Sequence, residues 1–76
     1  VVEVDDDAEP FVRKGRNVFH GFCLFADSTL RPGQPCLIIN SSRELIGHGI
    51  SRVDENEMMA FRKGIAIRVR DGVRYE

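Results

Sequence analysis

Seventy-six residues make one small domain, which buries only about 60% of its unfolded surface and so has a modest core. Apolar residues at 42% and charged residues at 30% exclude a disordered tail, and no run approaches the roughly 18 apolar residues of a membrane span. The net charge of −1 hides an asymmetry: five of the twelve acids (Glu3, Asp5, Asp6, Asp7, Glu9) precede Arg13, leaving seven against all 11 cations, nine of them arginine. The chain opens on Val1 without a methionine or a visible signal peptide. We expect a piece of a longer cytoplasmic protein.

Val1 to Val4 ("VVEV") is rich in β-branched residues and predicts a short strand. Asp5 to Asp7 supply helix-start chemistry, so "DDAEPFVRKG" predicts a helix of about two turns with Pro10 in its first turn and Gly15 as its stop. From Val18, "VFHGFCLFAD" predicts a strand with a bend or bulge at Gly21. "DSTLRPG" is a turn, with Pro32-Gly33 at the central positions of type II. The run "PCLIIN" (35–40) predicts a strand buried on both faces, and "ELIGHGIS" (44–51) its hairpin partner, closely packed at Gly47 and Gly49.

Asp54 opens a second helix that runs to Arg62-Lys63-Gly64, with acids at its start and cations at its end. Met58 and Phe61 share its inner face. "IAIRVR" then alternates, setting Ile65, Ile67 and Val69 opposite Ala66, Arg68 and Arg70. Asp71-Gly72 reads as a hairpin turn and Val73 to Tyr75 as one more strand. The expected fold is mixed α+β, mainly β: five to six short strands in a small curled sheet or barrel, with two short helices plugging its ends.

Cys23 and Cys36 sit 13 apart in apolar surroundings without zinc spacing, and are expected to be buried free thiols. His20 beside Cys23 allows a Cys/His nucleophile pair on paper. No acid is placed to orient it, so no catalytic residue, metal ligand or cofactor is assigned. The basic residues are more informative. Arg13, Lys14 and Arg16 cluster around Gly15, where the backbone can approach a partner and its amides could contact phosphate. Arg68, Arg70 and Arg74 form a second group. Both suit phosphate, and both also suit an ordinary solvated surface. Asn17 and Phe19 lie beside the first cluster and could read and stack a base, although alone Phe19 suits a core and Asn17 a turn.

"EPFVRKGRNVF" (9–19), "FADSTLRPG" (25–33), "RPGQPCLIIN", "ELIGHGIS" and "KGIAIRVR" together resemble the PUA domain over nearly the whole chain, and most narrowly the C-terminal domain of archaeal tRNA-guanine (archaeosine) transglycosylases. The resemblance implies a PUA-like pseudo-barrel spanning residues 1–76. It also implies a non-catalytic role in binding RNA, namely the acceptor stem and 3′ CCA end of tRNA, beside other domains of a parent transferase. Lys14, Gly15, Arg16, Asn17, Val18 and Phe19 would form one wall of the groove, with Arg68 and Arg70 on the last long strand. Gly21 departs from the lysine common there in the family, which implies modest affinity for the domain alone. The rival reading is a structural or protein-interaction module of a larger enzyme.

Overall fold

The computed structural model describes residues 1–60 and 64–73. In chain order these form β1 (Val2–Val4), a 3₁₀ turn (Asp6–Ala8), α1 (Glu9–Arg13), β2 (Val18–Phe19), a second 3₁₀ turn (His20–Phe22), β3 (Cys23–Ala26), β4 (Pro35–Ile39), β5 (Leu45–Ser51), α2 (Glu55–Ala60) and β6 (Ile65–Gly72). The six strands make one sheet in the order β2-β6-β5-β4-β1-β3, in which only β1 and β4 run parallel. This is the mainly β, barrel-like architecture with two short helices that the sequence predicts.

The sheet curls around Val2, Val4, Val18, Ile38, Ile46 and Ile67. α1 lies against β5 and β6 and contributes buried Val12; α2 lies against β3 and contributes fully buried Met58. Each helix therefore drives one apolar plug into the core. α2 begins with a reciprocal cap: the Glu57 N–H donates to Asp54 Oδ1 at 2.8 Å, and the Asp54 N–H donates to Glu57 Oε1 at 3.3 Å. The expected continuation of this helix to Lys63, including Phe61, lies outside the described residues.

Several local expectations give way to packing. The first helix divides: Asp5 caps a 3₁₀ turn by accepting from the Asp7 N–H, and α1 follows with Pro10 in its first turn. The predicted strand from Val18 is interrupted at His20–Phe22, because β2 pairs with β6 while β3 must pair with β1 across the sheet. β4 is buried on one face only: Cys36 and Ile38 face inward, whereas Pro35 and Leu37 are exposed. β6 is tighter than its alternation implies, with both Ala66 and Ile67 buried. The Pro32-Gly33 turn forms as read, with Gly33 at φ +82° and the Gln34 N–H donating to the Arg31 carbonyl.

Asp71-Gly72 does not turn the chain. β6 runs through Gly72, and the Val73 N–H donates to the Ile46 carbonyl. The reason is proximity: a Cβ at Gly72 would collide with the Val12 and Arg13 carbonyls of α1. Close packing also occurs where expected at Gly47, against Val12, and at Gly49, against the Arg68 backbone. The strand anticipated after the turn lies mostly outside the described residues.

Candidate nucleic-acid interface

α1 ends by folding its last carbonyls back onto its own chain. The Gly15 N–H donates to Val12 O and the Arg16 N–H to Phe11 O, both at 2.9 Å, while Gly15 adopts φ +84°. This paired closure needs a left-handed residue, which glycine supplies without a Cβ penalty. The Lys14 N–H also donates to Phe11 O. The amides of residues 14 to 16 are thus spent on the helix terminus, which corrects the expectation that they face phosphate. Lys14 and Arg16 instead flank the negative end of the helix dipole as exposed side chains.

The expected contact residues divide by role. Arg13 is largely covered: its Nε donates to Glu9 Oε2 at 2.8 Å and its Nη1 to the Val73 carbonyl at 2.9 Å. Glu9 in turn accepts from Asn40 Nδ2 at 3.0 Å, so this chain of contacts ties α1 to the β4–β5 turn and to the end of β6. Val18 belongs to the core at 2% exposure. Lys14, Gly15, Arg16, Asn17, Phe19, Arg68 and Arg70 are exposed, and Arg74 lies outside the described residues.

Two segments far apart in sequence meet here. β2 pairs with β6, setting Val18 opposite Ile67, and Asn17 Oδ1 accepts from the Val69 N–H at 3.2 Å. Asn17 stands between two hollows. One, of about 270 Å³, is lined by Phe11, Phe19, Phe22 and Arg16; the other, of about 400 Å³, by Ile50, Arg68, Val69 and Arg70. Phe19 is 51% exposed and Phe11 50%, so neither ring is spent on the core. Half-exposed aromatic faces can stack on bases, and arginines on the adjoining wall can engage phosphates.

Phe11, Phe22 and Ile50 are lining residues that the charge pattern does not single out. Phe11 had a signal: Ala8, at the end of the 3₁₀ turn, and Val12 of α1 are four apart and both buried, which turns Phe11 outward. The buried cysteines behave as small hydrophobes. Burial pushes the Cys23 thiol up to about 12, with the nearby Cys36 adding to the effect, and His20 turns its Nδ1 to the Met58 carbonyl at 3.2 Å. A thiol held protonated is the reverse of an activated nucleophile. Among the described residues, no three His, Cys, Asp or Glu side chains converge to hold a metal, and no helix is long and apolar enough to cross a membrane.

Comparison with known proteins agrees with this architecture. The family model of the PUA domain matches residues 1–73. The tRNA-guanine(15) transglycosylase of Thermococcus onnurineus is 46% identical over 72 residues, and that of Methanocaldococcus jannaschii is 38% identical over 73. These matches cover 95% and 96% of this chain but only 12% and 11% of the relatives' own length. Among solved structures, a conserved PUA domain protein from Thermoplasma acidophilum superposes with a TM-score of 0.90 at 29% identity, over 99% of this chain and 50% of that one. NSun6 from Pyrococcus horikoshii superposes with a TM-score of 0.91 at 28% identity, over 95% of this chain and 19% of the other. The chain belongs to the PUA domain family.

Proposed function

We propose that residues 1–76 form a single non-catalytic RNA-binding domain of an archaeal, cytoplasmic tRNA-guanine transglycosylase, placed at the C-terminus of that enzyme. It positions the acceptor stem and 3′ CCA end of tRNA while another domain of the parent carries out the transfer. The observation that carries this reading is the junction at Asn17, which sets the aromatic hollow of Phe11 and Phe19 beside the arginine hollow of Arg68 and Arg70. Unpaired terminal bases need stacking platforms, and the duplex beside them needs phosphate contacts; the two hollows offer one of each.

Lys14, Arg16, Asn17, Phe19, Arg68 and Arg70 are the contact side chains in this proposal, with Gly15 shaping the loop. Arg13 and Val18 act by holding that wall in place. Arg74 remains a candidate on its sequence position alone. The double substitution Arg16→Glu with Arg68→Glu tests the surface: affinity for an acceptor-stem RNA should collapse and the slope of log K against log salt should shrink by about 2. Unchanged affinity in a folded double variant rejects it. The second reading, a protein-interaction role, draws on the exposed apolar side chains of Phe25, Leu37 and Leu45 on β3, β4 and β5.

A further inference from the structure

Asn40 stands at the turn between β4 and β5, only 4% exposed, and both ends of its side-chain amide are used. Its Oδ1 accepts from the Ser42 N–H at 3.0 Å and the Glu44 N–H at 2.9 Å, which closes the turn. Its Nδ2 donates to Glu9 Oε1 at 3.0 Å and, at 3.4 Å, to Glu44 Oε1. The turn needs only the oxygen, and an aspartate would supply that equally well. The nitrogen answers a different need: it holds the carboxylate of a residue 31 positions away, on α1.

Glu9 carries the contact onward. Its second oxygen, Oε2, accepts from Arg13 Nε at 2.8 Å, and Arg13 Nη1 donates to the carbonyl of Val73, just past the end of β6. Ser41 Oγ adds a parallel tie from the same turn to Asp6 Oδ1 at 2.6 Å. The relay thus runs from the β4–β5 turn through α1 to the strand that bears Arg68 and Arg70. Lys14 and Arg16 follow Arg13 closely in the chain, so their placement depends on how α1 is turned on the sheet. The Arg13 and Glu9 side chains are 12% and 16% exposed, and charge-assisted hydrogen bonds so covered are directional. Val12 plugs α1 into the core, but an apolar contact is non-directional and sets depth rather than rotation.

We propose that Asn40 is a positioning residue for the RNA groove: its amide nitrogen sets Glu9, Glu9 sets Arg13, and this relay fixes the wall of Lys14 and Arg16 relative to Arg68 and Arg70 on β6. The inference deepens the RNA-binding reading and rests on it. Asn40 makes no contact with RNA itself; it acts through α1.

Asn40→Asp is the selective probe, because it keeps the oxygen that closes the turn and replaces the donor with a second carboxylate facing Glu9. The compensating pair, Asn40→Asp with Glu9→Gln, returns a donor to the gap with its direction reversed. The remaining carbonyl oxygen at position 9 still accepts from Arg13. Both variants and the wild-type 76-residue chain are compared well below their melting midpoints. Amide exchange of Gly15 and Arg16, whose N–H groups close α1, is read against that of Ser51, whose N–H donates to the Gln34 carbonyl. Asn40→Asp should speed Gly15 and Arg16 at least about tenfold relative to Ser51 and weaken acceptor-stem RNA binding about tenfold, and adding Glu9→Gln should restore both to within about threefold. Should Asn40→Asp fail to fold, Glu9→Gln alone breaks the same contact from the other side and carries the same expectations. Equal acceleration at all three amides, or none at any, overturns the proposal, since a residue that only stabilises the fold behaves that way. Failure of the compensating pair to restore the two readouts overturns it too. Unchanged RNA affinity in Asn40→Asp overturns it and leaves the RNA reading standing where wild-type binding still responds to Arg16→Glu with Arg68→Glu. Absence of wild-type binding overturns the RNA reading and, with it, the role of Asn40 in the groove.

Discussion

Asn17 and Val69, 52 residues apart, are joined by one hydrogen bond from the Val69 N–H to the Asn17 side-chain oxygen, which extends the β2–β6 pairing that brings the two basic segments together. Its removal is the sharpest probe of the groove's geometry. Asn17→Ala leaves the Val69 N–H to water at a cost of about 0.5–1.5 kcal/mol, read as a shift in the urea midpoint with an unchanged slope. RNA affinity should fall by more than that stability loss explains, because the segment carrying Arg16 loses its side-chain tie to Val69 even though β2 still pairs with β6.

Gly15 shows how conformation and space separate. A Cβ there meets nothing within 4 Å, yet φ is +84°. Gly15→Ala should therefore destabilise by about 1–2 kcal/mol through backbone strain alone, and Gly15→Asn by less. Chemical denaturation of the two variants checks the order; equal cost would place the origin elsewhere.

Gly72 is the opposite case, since the obstacle is the carbonyl backbone of α1. Gly72→Ala must push α1 away from β6, at a cost of about 3 kcal/mol or more, and should disturb the Arg13 latch to Val73. Loss of cooperative melting, or a Tm drop far larger than that of Gly15→Ala, is the expected result.

Cys23 gives a pH dependence with a definite sign. Its thiol is raised from 9.0 to about 12 by burial, so the folded state favours the protonated form more than the unfolded state does. That contribution is complete below about pH 9 and is lost as pH climbs toward 12. Stability measured from pH 8 to 11 should decline, and Cys23→Ala should flatten the decline. Burial raises Cys36 too, so part of the slope should survive in the single variant.

Much of this was legible because local chemistry and tertiary packing agree. The Asp54 cap, the Pro32-Gly33 turn and the hairpin of β4 and β5 each combine a propensity with a matching pattern. The reading failed where a distant contact overrode the local signal. Asp71-Gly72 is turn chemistry, but α1 lies over it and only glycine fits that crossing. "VFHGFCLF" is strand chemistry, but its two halves are the two end strands of the sheet order, β2 pairing with β6 and β3 with β1. The apolar run of β4 signalled double burial, yet Leu37 belongs to an outer face.

The candidate site was legible as charge and illegible as geometry. The two arginine-bearing segments stand out in the sequence, and the glycine between Lys14 and Arg16 reads correctly as a helix stop. The i,i+4 spacing of Glu9 and Arg13 makes that pair legible locally, but nothing local indicates that Arg13 also reaches Val73 or that Asn17 reaches β6. These are long-range contacts, set by how α1 and β2 seat on the sheet.

The central claim is that the domain grips the end of tRNA. The most direct measurement is binding of the folded 76-residue domain to an acceptor-stem RNA, with and without its 3′ CCA, across a salt series. The account predicts salt-sensitive binding that weakens when the CCA is trimmed, since phosphate contacts and base stacking are then lost in separable parts. Absence of binding at low salt by a domain shown to be folded, or binding indifferent to both salt and trimming, would contradict it.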